Sequence, residues 1–479
     1  MIFELITLLH FLFVTGFTIR ILVRNNLTPT TRLTWFLVIL ILPYIGAVIY
    51  WMFGEADVGF HADSKRQKIL TQLEENHPEV LGNKKYLEEH IEQQYCSAFA
   101  YASSVNGFQL TAGNSARLMR DAKDTTSNMI ADFDAATDHI HILYYIWLED
   151  ETGISIANAL MRAAQRGVKC RVMADGLGSR KFIASSTWKK MQACGVDVAV
   201  ALPLKNPIRT LIFSRIDLRN HRKITIIDGK ITYCGSNNCA DPEFRVKAKY
   251  APWVDIMLRF EGPIVAQNQL LFASDWLVRN PSTDLNDFVY SLEAKPHGFY
   301  AQVFADGPTE RRDATPQLFT LLFAQAQEKL IISTPYFVPD YSVVNGLCAA
   351  AHRGVKVVMI FPQRNDSFVV SATSKSYYRQ LLESGVIIYE FKDGLLHAKT
   401  MTIDGSITLI GSTNLDLRSF DLNYENNILL RDDELTVEVQ HRQQDYIEHS
   451  HKILLDDVLK WSLPRRIWYN IVAMLGPVL

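Results

Sequence analysis

This chain of 479 residues has few cysteines and almost no net charge. Its six cysteines include no C-x-x-C pair and no spacing that matches a histidine cluster, which argues against a zinc scaffold and a small disulfide-stapled secreted fold. The 49 basic residues balance 51 acidic ones, so the basic footprint of a nucleic-acid-binding protein is missing. With 48% hydrophobic residues the chain is not disordered, and its length suits about three domains.

Apolar residues are spread unevenly, and the first 56 residues contain an uncharged run of membrane length. Residues 33–53 carry no formal charge over 21 positions, and a helix of that length crosses the roughly 30 Å hydrocarbon layer. A weaker run at 2–22 is interrupted by a glutamate, a histidine and an arginine. The chain has neither the basic start nor the cleavage site of a signal peptide. We predict a transmembrane helical hairpin over residues 1–56, with a buried core hairpin as the alternative.

Beyond a polar stretch at 57–107, which we interpret as a connector, the sequence repeats itself. The R-G-V-K segment at 166–169 returns at 353–356, each time between an alanine-rich helical run and an apolar strand. A helix followed by a strand is the order of α/β units. We predict an α/β fold with two homologous halves, at 108–290 and 291–479, that pack as one body.

A second repeat carries the chemically reactive side chains. Segments 221–238 and 397–414 have identical internal spacing, and in each an Asp-Gly pair between two β-rich runs predicts a hairpin. Because residues two apart on a strand face the same way, the histidine and lysine of each copy share a face. The matching positions are His221, Lys223, Asp228, Ser236 and Asn238 in the first copy and His397, Lys399, Asp404, Ser412 and Asn414 in the second.

The hairpin turn decides which residues face each other. If the Asp-Gly pair forms a two-residue loop, Ser236 lies opposite His221, and Ser412 lies opposite His397. A slip of one residue would break this pairing. The two aspartates belong to the repeated motif and are candidate catalytic residues, but Asp-Gly chemistry favours a turn role for them.

These side chains suit the chemistry of a phosphodiester. Two lysine ammonium groups with serine and asparagine donors form a cradle for phosphate oxygens. A neutral imidazole can attack phosphorus, while a protonated one gives its proton to the leaving alkoxide. Because cations accompany the histidines and no cluster of acidic metal ligands does, we expect neither a metal ion nor another cofactor.

Both segments match the H-x-K-x-x-x-x-D signature followed by G-S-x-N, so the chain resembles the phospholipase D superfamily. With further matches at 253–255, 414–419 and 422–425, it resembles the bacterial cardiolipin synthases of the A type over essentially its full length. The resemblance implies two phospholipase D-like halves, each a mixed β-sheet flanked by helices. It also implies that both histidines face one pocket and that Asp255 and Glu425 orient them, one acid for each histidine.

The resemblance further implies a reaction. One histidine attacks phosphatidylglycerol and forms a phosphohistidine, and the other acts as general acid and then as general base. A second phosphatidylglycerol accepts the phosphatidyl group, which gives cardiolipin and glycerol. Which histidine attacks is left open, with His221 the first choice. The alternative is a membrane-bound phospholipase D, or a phosphatidyltransferase that uses another alcohol such as serine.

The resemblance also implies partners and a location. The partners are phosphatidylglycerol, other anionic phospholipids and the bilayer, but not nucleic acid, and the location is the bacterial cytoplasmic (inner) membrane, in a multi-pass protein. The stretch 205–223, with six cations and one acid, either attracts anionic headgroups or is a solvated loop. The C-terminal segment 463–479 either lies in the membrane interface or closes the core of the second half.

Overall fold

A computed structural model describes residues 2–25, 27–54, 68–69, 71–72, 75–203, 217–290 and 294–474. The helices of this part of the chain are α1 (Ile2–Val23), α2 (Pro29–Ile41), α3 (Pro43–Phe53), α4 (Lys85–His90), α5 (Cys96–Asn106), α6 (Ala122–Ala135), α7 (Glu151–Gln165), α8 (Arg180–Ile183), α9 (Ser186–Ala193), α10 (Ile264–Arg279), α11 (Ala314–Gln325), α12 (Tyr341–His352), α13 (Phe368–Glu383), α14 (Leu417–Asp421), α15 (Asp433–Glu448), α16 (Leu455–Leu459) and α17 (Leu463–Ala473). Short 3-10 turns lie at Pro78–Leu81, Arg245–Tyr250 and Leu285–Phe288.

The strands are β1 (Thr111–Leu118), β2 (His139–Tyr144), β3 (Lys169–Asp175), β4 (Asp197–Ala201), β5 (Arg219–Asn220), β6 (Lys223–Ile227), β7 (Ile231–Gly235), β8 (Trp253–Val254), β9 (Met257–Glu261), β10 (Phe299–Asp306), β11 (Lys329–Ser333), β12 (Phe337–Val338), β13 (Lys356–Pro362), β14 (Ile387–Phe391), β15 (Leu395–Leu396), β16 (Thr400–Ile403), β17 (Ile407–Gly411), β18 (Leu415–Asp416), β19 (Asn423–Arg431) and β20 (Ser450–Ile453).

The predicted membrane hairpin differs from the structure in its second arm. α1 is long and apolar enough to cross a membrane, and very little of it is buried. The run at 33–53 is split into α2 and α3 at Pro43. Proline has no amide hydrogen to continue a helix, and the residue before it, Leu42, leaves the helical region at φ −128° and ψ 68°. Among the described residues α1 alone qualifies as a span, so a multi-pass protein is not supported.

One mixed sheet of sixteen strands runs through both halves. The strand order is β4-β3-β2-β6-β7-β9-β1 in the first half and β14-β13-β11-β16-β17-β19-β10 in the second, where β20 adds an edge strand. The sixteenth strand, β5, pairs with β19 outside this order. β1 and β10 pair in antiparallel fashion at the centre, with Thr111 opposite Ala301. The repeated strand order matches the repeated sequence, and the predicted α/β fold with two similar halves in one body is confirmed.

Helices cover the sheet and tie the halves together. α10 of the first half packs against β10 of the second, and α15 of the second half packs against β1 of the first. On α10, the fully buried Gln267 accepts a hydrogen bond from the amide of Val303 at 2.8 Å and donates to the carbonyls of Leu81 and Gln109 at 2.9 and 2.7 Å. Separating the halves would leave the Gln267 oxygen and the amide of Val303 unsatisfied, which is costly.

The predicted polar connector at 57–107 is in part a folded element. α5 buries three side chains in the core of the second half, namely Ala98, Phe99 and Ala102. Just before α5, the Tyr95 hydroxyl donates to Asp404 at 2.8 Å. Since α5 has only 11 residues, its apolar face is too short to give a clear helical period in the sequence. We keep 108–290 and 291–479 as the proposed limits of the two halves.

Residues 205–216 of the basic stretch predicted at 205–223 lie outside the described residues. Its described end forms β5, a two-residue strand that pairs in parallel with the start of β19 in the second half. β15 in the second half pairs in parallel with β8 in the first. Each half therefore contributes one short strand that pairs with the other half. Each of these two strands ends immediately before a histidine motif.

Candidate active site

The two motif hairpins turn at the predicted Asp-Gly pair but pair one residue out of the predicted register. Asp228 and Gly229 have φ of 51° and 61°, and the amide of Lys230 donates to the carbonyl of Ile227 at 2.9 Å, as in a two-residue turn. The ladder then pairs Ile227 with Ile231, so Lys230 is an extra residue in the second strand. The second copy has the same turn and the same extra residue. The predicted pairing of each serine with its histidine is therefore wrong.

The two motif aspartates lie at the closed end of the hairpins, away from the histidines. Five residues separate Lys223 from Asp228, which is about 16 Å along a strand. Asp228 accepts hydrogen bonds from three consecutive amides at the start of β2, and Asp404 accepts three from the start of β11, all at 2.8 to 3.0 Å. Burial alone would raise the pKa of Asp228, but its amide donors hold it below the ordinary value. From these contacts we propose a structural role for both aspartates in place of the catalytic one.

Exchanged strands position each histidine beside the opposite half. Directly after β5, the amide of His221 donates to the carbonyl of Tyr424 in β19 at 2.9 Å. Directly after β15, the amide of His397 donates to the carbonyl of Val254 in β8 at 2.8 Å. Each motif therefore starts against a strand of the other half.

The carboxylates bonded to the histidines come from the opposite halves as well. Glu425 accepts a hydrogen bond from Nδ1 of His221 at 2.9 Å, and Asp255 accepts one from Nδ1 of His397 at 2.6 Å. With Nδ1–H engaged, Nε2 is the ring nitrogen that carries the lone pair. Burial alone would raise the pKa of both carboxyls, but their histidine and lysine neighbours hold it below the ordinary value.

The imidazoles are nearly closed off from solvent. His221 is 7% exposed and His397 is 3% exposed. Burial lowers the pKa of both rings, that of His221 to about 4, so both are neutral near pH 7. After burial, the ammonium of Lys399 also lowers the pKa of His221, and that of Lys223 lowers the pKa of His397. The histidine–lysine sets of the two motifs therefore interact electrostatically, and we regard them as one buried cluster between the halves.

Each lysine is anchored to the backbone of its own motif. Nζ of Lys223 donates to the carbonyl of His221 at 2.7 Å, and Nζ of Lys399 donates to that of His397 at 2.6 Å. Burial lowers the pKa of Lys223 to about 8 and that of Lys399 to about 7. An ammonium group held this tightly and stripped of water interacts strongly with any anion that reaches it.

The motif serines were predicted to bind phosphate, and the structure engages them elsewhere. Ser236 Oγ donates to Asp255 at 2.6 Å, and Ser412 Oγ donates to Glu425. Each oxygen also accepts a backbone amide, from Ile256 in the first case. Both hydroxyls are fully buried and stand behind the histidines, where they fix the carboxylates. The register shift explains the difference, because it moves each serine away from the position opposite its histidine.

The motif asparagines retain free acceptor atoms. Asn414 Nδ2 donates to Ser419 at 3.2 Å. Within the described part of the chain, the buried Oδ1 atoms of Asn238 and Asn414 have no hydrogen-bond partner. A buried carbonyl oxygen without a partner is costly, so both atoms are available to accept a hydrogen bond from a bound group. Across the same described residues, no group of three or more His, Cys, Asp or Glu is arranged to hold a metal ion.

Sequence reasoning missed three side chains that contact the cluster. The Tyr145 ring lies edge-on to His221 with centroids 4.9 Å apart, and Trp253 lies 4.6 Å from His397. Asn423 Nδ2 donates to Glu425 at 3.2 Å. Trp253 and Asn423 each stand two residues before one of the two acids, and this equivalent placement was the signal available in the sequence.

Two family models match the chain. One, described as "Cardiolipin synthase, PLD-like domain", matches residues 129–276 and 320–446. The other, described as "Phospholipase_D-nuclease N-terminal", matches residues 12–55. The predicted resemblance to phospholipase D-like cardiolipin synthases is confirmed by these matches together with the curated relatives.

Those relatives are similar over nearly the whole chain. Cardiolipin synthase A of Proteus mirabilis (strain HI4320) is 32% identical across 98% of this chain and 97% of its own length. Cardiolipin synthase A of Serratia proteamaculans (strain 568) is 34% identical across 97% of this chain and 95% of its own. Among solved structures, phosphatidylserine synthase of Haemophilus influenzae Rd KW20 has a TM-score of 0.58 at 16% identity and covers 76% of this chain and 95% of that one. The similarity to the Haemophilus influenzae structure shows a shared fold.

Proposed function

The chain belongs to the family of cardiolipin synthases with phospholipase D-like domains, and we propose that it transfers a phosphatidyl group from one phosphatidylglycerol to another, giving cardiolipin and glycerol. Members of this family are phosphatidyltransferases, so the chain is an enzyme of that class. The catalytic residues in the proposal are His221, Lys223, His397 and Lys399. Asp255 and Glu425 are positioning residues that act through the imidazoles.

The exchange of carboxylates between the halves is the observation that carries the proposal. Because each histidine takes its acid from the other half, neither motif is complete without the other. Two oriented imidazoles beside two buried ammonium groups suit a reaction at one phosphorus atom in which a neutral ring is the nucleophile and the other ring, once protonated, is the proton donor. Hydrolysis or transfer at a phosphodiester has these requirements.

In the first step, Nε2 of one histidine attacks the phosphorus of phosphatidylglycerol. A P–N bond forms, the P–O bond to the headgroup glycerol breaks, and the other imidazolium donates its proton to the departing glycerol oxygen. The lysine ammonium groups stabilise the charge that builds on the phosphate oxygens. The incoming phosphodiester anion raises the pKa of the second imidazole, which lets it carry that proton in the bound complex.

In the second step, the now neutral second imidazole takes the proton from the terminal hydroxyl of another phosphatidylglycerol. The oxygen attacks phosphorus, the P–N bond breaks, and the first histidine returns to its starting state. One phosphodiester replaces another, so the proposed cycle consumes no nucleotide and uses no cofactor.

We propose His221 as the nucleophile and His397 as the acid and base. The low pKa of His221, about 4, keeps its Nε2 unprotonated and ready to attack. His397 has the shorter hydrogen bond to its carboxylate, 2.6 Å against 2.9 Å, and a close carboxylate stabilises an imidazolium. Both features favour His221 as the nucleophile and His397 as the acid and base.

Burial of the cluster supports transfer to an alcohol over hydrolysis. Water competes with the lipid hydroxyl for the phosphohistidine, and a site with histidines under 10% exposed limits its access. The apolar helix α1 is consistent with attachment to a membrane, where both substrates reside. We propose the bacterial cytoplasmic membrane as the location, with anionic phospholipids as the partners of the site.

Lipid analysis of the purified full-length protein tests the proposal. The protein is incubated with vesicles of phosphatidylglycerol alone, in parallel with and without a chelator, and cardiolipin and free glycerol are quantified. We expect equal amounts of both products in either condition, and loss of both in His221→Ala and His397→Ala. Phosphatidic acid as the main product would overturn the proposal in favour of a phospholipase D. Phosphatidylserine formed preferentially after serine is added would favour the other alcohol acceptor.

A further inference from the structure

The C-terminal helix α17 presents a row of large apolar side chains to solvent. Of its 11 residues, Val472 is the one that is fully buried, so α17 does little to close the core. The exposed residues of the row are 45% to 75% accessible and comprise Leu463, Ile467, Trp468, Ile471 and Met474. A contiguous apolar patch of this kind on a soluble surface marks an interaction site.

The charges on α17 select the kind of partner. The helix has no acidic residue and carries Arg465 and Arg466 beside its apolar row. The Arg465 guanidinium lies over the rings of Trp461 and Tyr469, at 4.6 and 5.4 Å from their centroids. Cations with tryptophan and tyrosine on the edge of an apolar helix face are the signature of a helix lying in an anionic lipid interface.

The apolar row continues onto the neighbouring helix. The ring of Trp468 is 5.9 Å from that of Phe368, the first residue of α13. Phe368 is 68% exposed, although it starts a helix that otherwise packs in the second half. The patch of α17 and Phe368 therefore spans two helices and is held in one orientation by their packing.

Contacts and short stretches of sequence link this patch to the active site. Two residues before Phe368, Asp366 accepts hydrogen bonds from the Tyr336 hydroxyl at 2.7 Å and from Lys247 Nζ at 2.6 Å. Lys247 belongs to the first half, in the turn that ends three residues before Trp253. Trp253 in turn contacts His397. The patch is thus two residues along the chain from Asp366, which pairs with Lys247 of the first half across the boundary.

The first half places exposed side chains beside the ion pair that joins the two halves. Val246, next to Lys247, is 59% exposed, and Lys249 extends the run of cations. Apolar and basic side chains therefore lie on both halves near the site, with the ion pair between Lys247 and Asp366 bridging them.

We propose that α17, Phe368 and Val246 form a membrane-contact surface that docks the catalytic body on the anionic leaflet. An N-terminal anchor alone does not orient the body on the bilayer, and a second, interfacial contact supplies the orientation. The presence of a substrate lipid at that surface rests on the proposed function, but the contact itself does not.

Photocrosslinking of the full-length chain tests the contact without catalysis. A benzophenone amino acid replaces Ile467 in one sample and Val437, an exposed apolar residue of α15, in the matched control. Both chains carry His397→Ala, so that turnover is not required, and both are irradiated in phosphatidylglycerol vesicles. We expect a lipid adduct at position 467 and none at position 437. Equal adducts at both positions, no adduct at 467, or a covalent dimer or other protein adduct at 467 would each overturn the proposal.

A kinetic measurement in the active enzyme tests the charge. Each arginine near an anionic surface contributes about a fivefold gain in affinity, so the double variant Arg465→Gln and Arg466→Gln should raise the apparent KM for phosphatidylglycerol vesicles about 25-fold and leave kcat unchanged. The matched control is Lys189→Gln with Lys190→Gln, two adjacent exposed cations on α9. We expect the control to behave as the parent does. An unchanged KM in the arginine variant, or an equal rise in the control, would overturn the proposal, whereas an enzyme inactive on every lipid would contradict the proposed function instead.

Discussion

Oε2 of Glu425 and Nδ1 of His221 lie 2.9 Å apart, although 204 residues separate these two residues in the sequence. The reciprocal bond, between Asp255 and His397, runs in the opposite direction between the halves. Each half therefore completes the other's histidine, and the proposed active cluster exists only in the assembled body. This arrangement explains why α10 and α15 are packed across the boundary, since a small displacement of one half would misplace both imidazoles at once.

The first prediction concerns the carboxylate of Glu425. Glu425→Gln keeps the shape of the side chain but removes the negative charge that orients and stabilises the imidazole of His221. We expect kcat with phosphatidylglycerol vesicles to fall by about 10⁴-fold, the size of the loss when the carboxylate that holds a catalytic imidazole in its tautomer is replaced by the amide. The control is Glu438→Gln on the exposed face of α15, which should retain activity. Full turnover in Glu425→Gln would show that the cross-half bond is dispensable.

The second prediction concerns the motif aspartates as structural residues. Asp228 accepts three backbone amides at 2.9 to 3.0 Å. We expect Asp228→Asn to lower the free energy of unfolding by about 1–2 kcal/mol and to leave kcat nearly unchanged, because the residue is far from the histidines. Thermal unfolding and kcat are measured on the same preparation. Lost activity at an unchanged melting temperature would contradict the structural role.

The contribution of the Asp228 carboxylate to the free energy of unfolding depends on pH. Its folded-state pKa lies below the unfolded-state value of about 3.9, so it contributes stability above that pH. The contribution is lost as pH falls through the lower, folded-state pKa. The difference in unfolding free energy between the parent and Asp228→Asn should therefore be constant at neutral pH and shrink below about pH 4. A difference that stays constant at pH 3 would contradict this origin.

The repeat allowed much of the fold and of the site to be predicted from the sequence. Identical spacing in two copies indicated the halves, and strand alternation placed each lysine on the face of its histidine. The motif lysines and histidines do lie together, and the Asp-Gly turns form at the predicted residues.

The remaining features depend on local geometry or on tertiary structure. The register failed by one residue because Lys230 is accommodated as an extra residue after the turn, and no local signal in the sequence requires it. Pro43 divides a run whose composition alone suggested one helix. The crossed pairing of Asp255 and Glu425 follows from the short strands β5 and β15, two residues each, which are too short to predict.

A third prediction identifies the nucleophile. The enzyme is mixed with phosphatidylglycerol labelled at phosphorus, quenched with alkali to preserve a phosphohistidine, and digested for peptide mapping. We expect the label on the peptide that contains His221, and no label in His221→Ala. Label found on the peptide that contains His397 instead would reverse the two roles, and label on neither peptide in an active enzyme would argue against a covalent intermediate.

The last prediction follows from the two buried lysines. Burial lowers the pKa of Lys223 to about 8 and that of Lys399 to about 7, well below the value of about 10.4 for a free lysine. The ammonium forms are needed to hold the phosphate oxygens, so kcat/KM, which reports the free enzyme, should fall above about pH 7–8. A bound phosphodiester stabilises the ammonium form, so kcat should fall only at higher pH. Lys399→Arg, which keeps its charge throughout this range, should move the alkaline limb of kcat/KM upward in whatever activity it retains. A kcat/KM profile that is flat to pH 10 would contradict the role of the buried ammonium groups, provided that the melting temperature is unchanged over the same range.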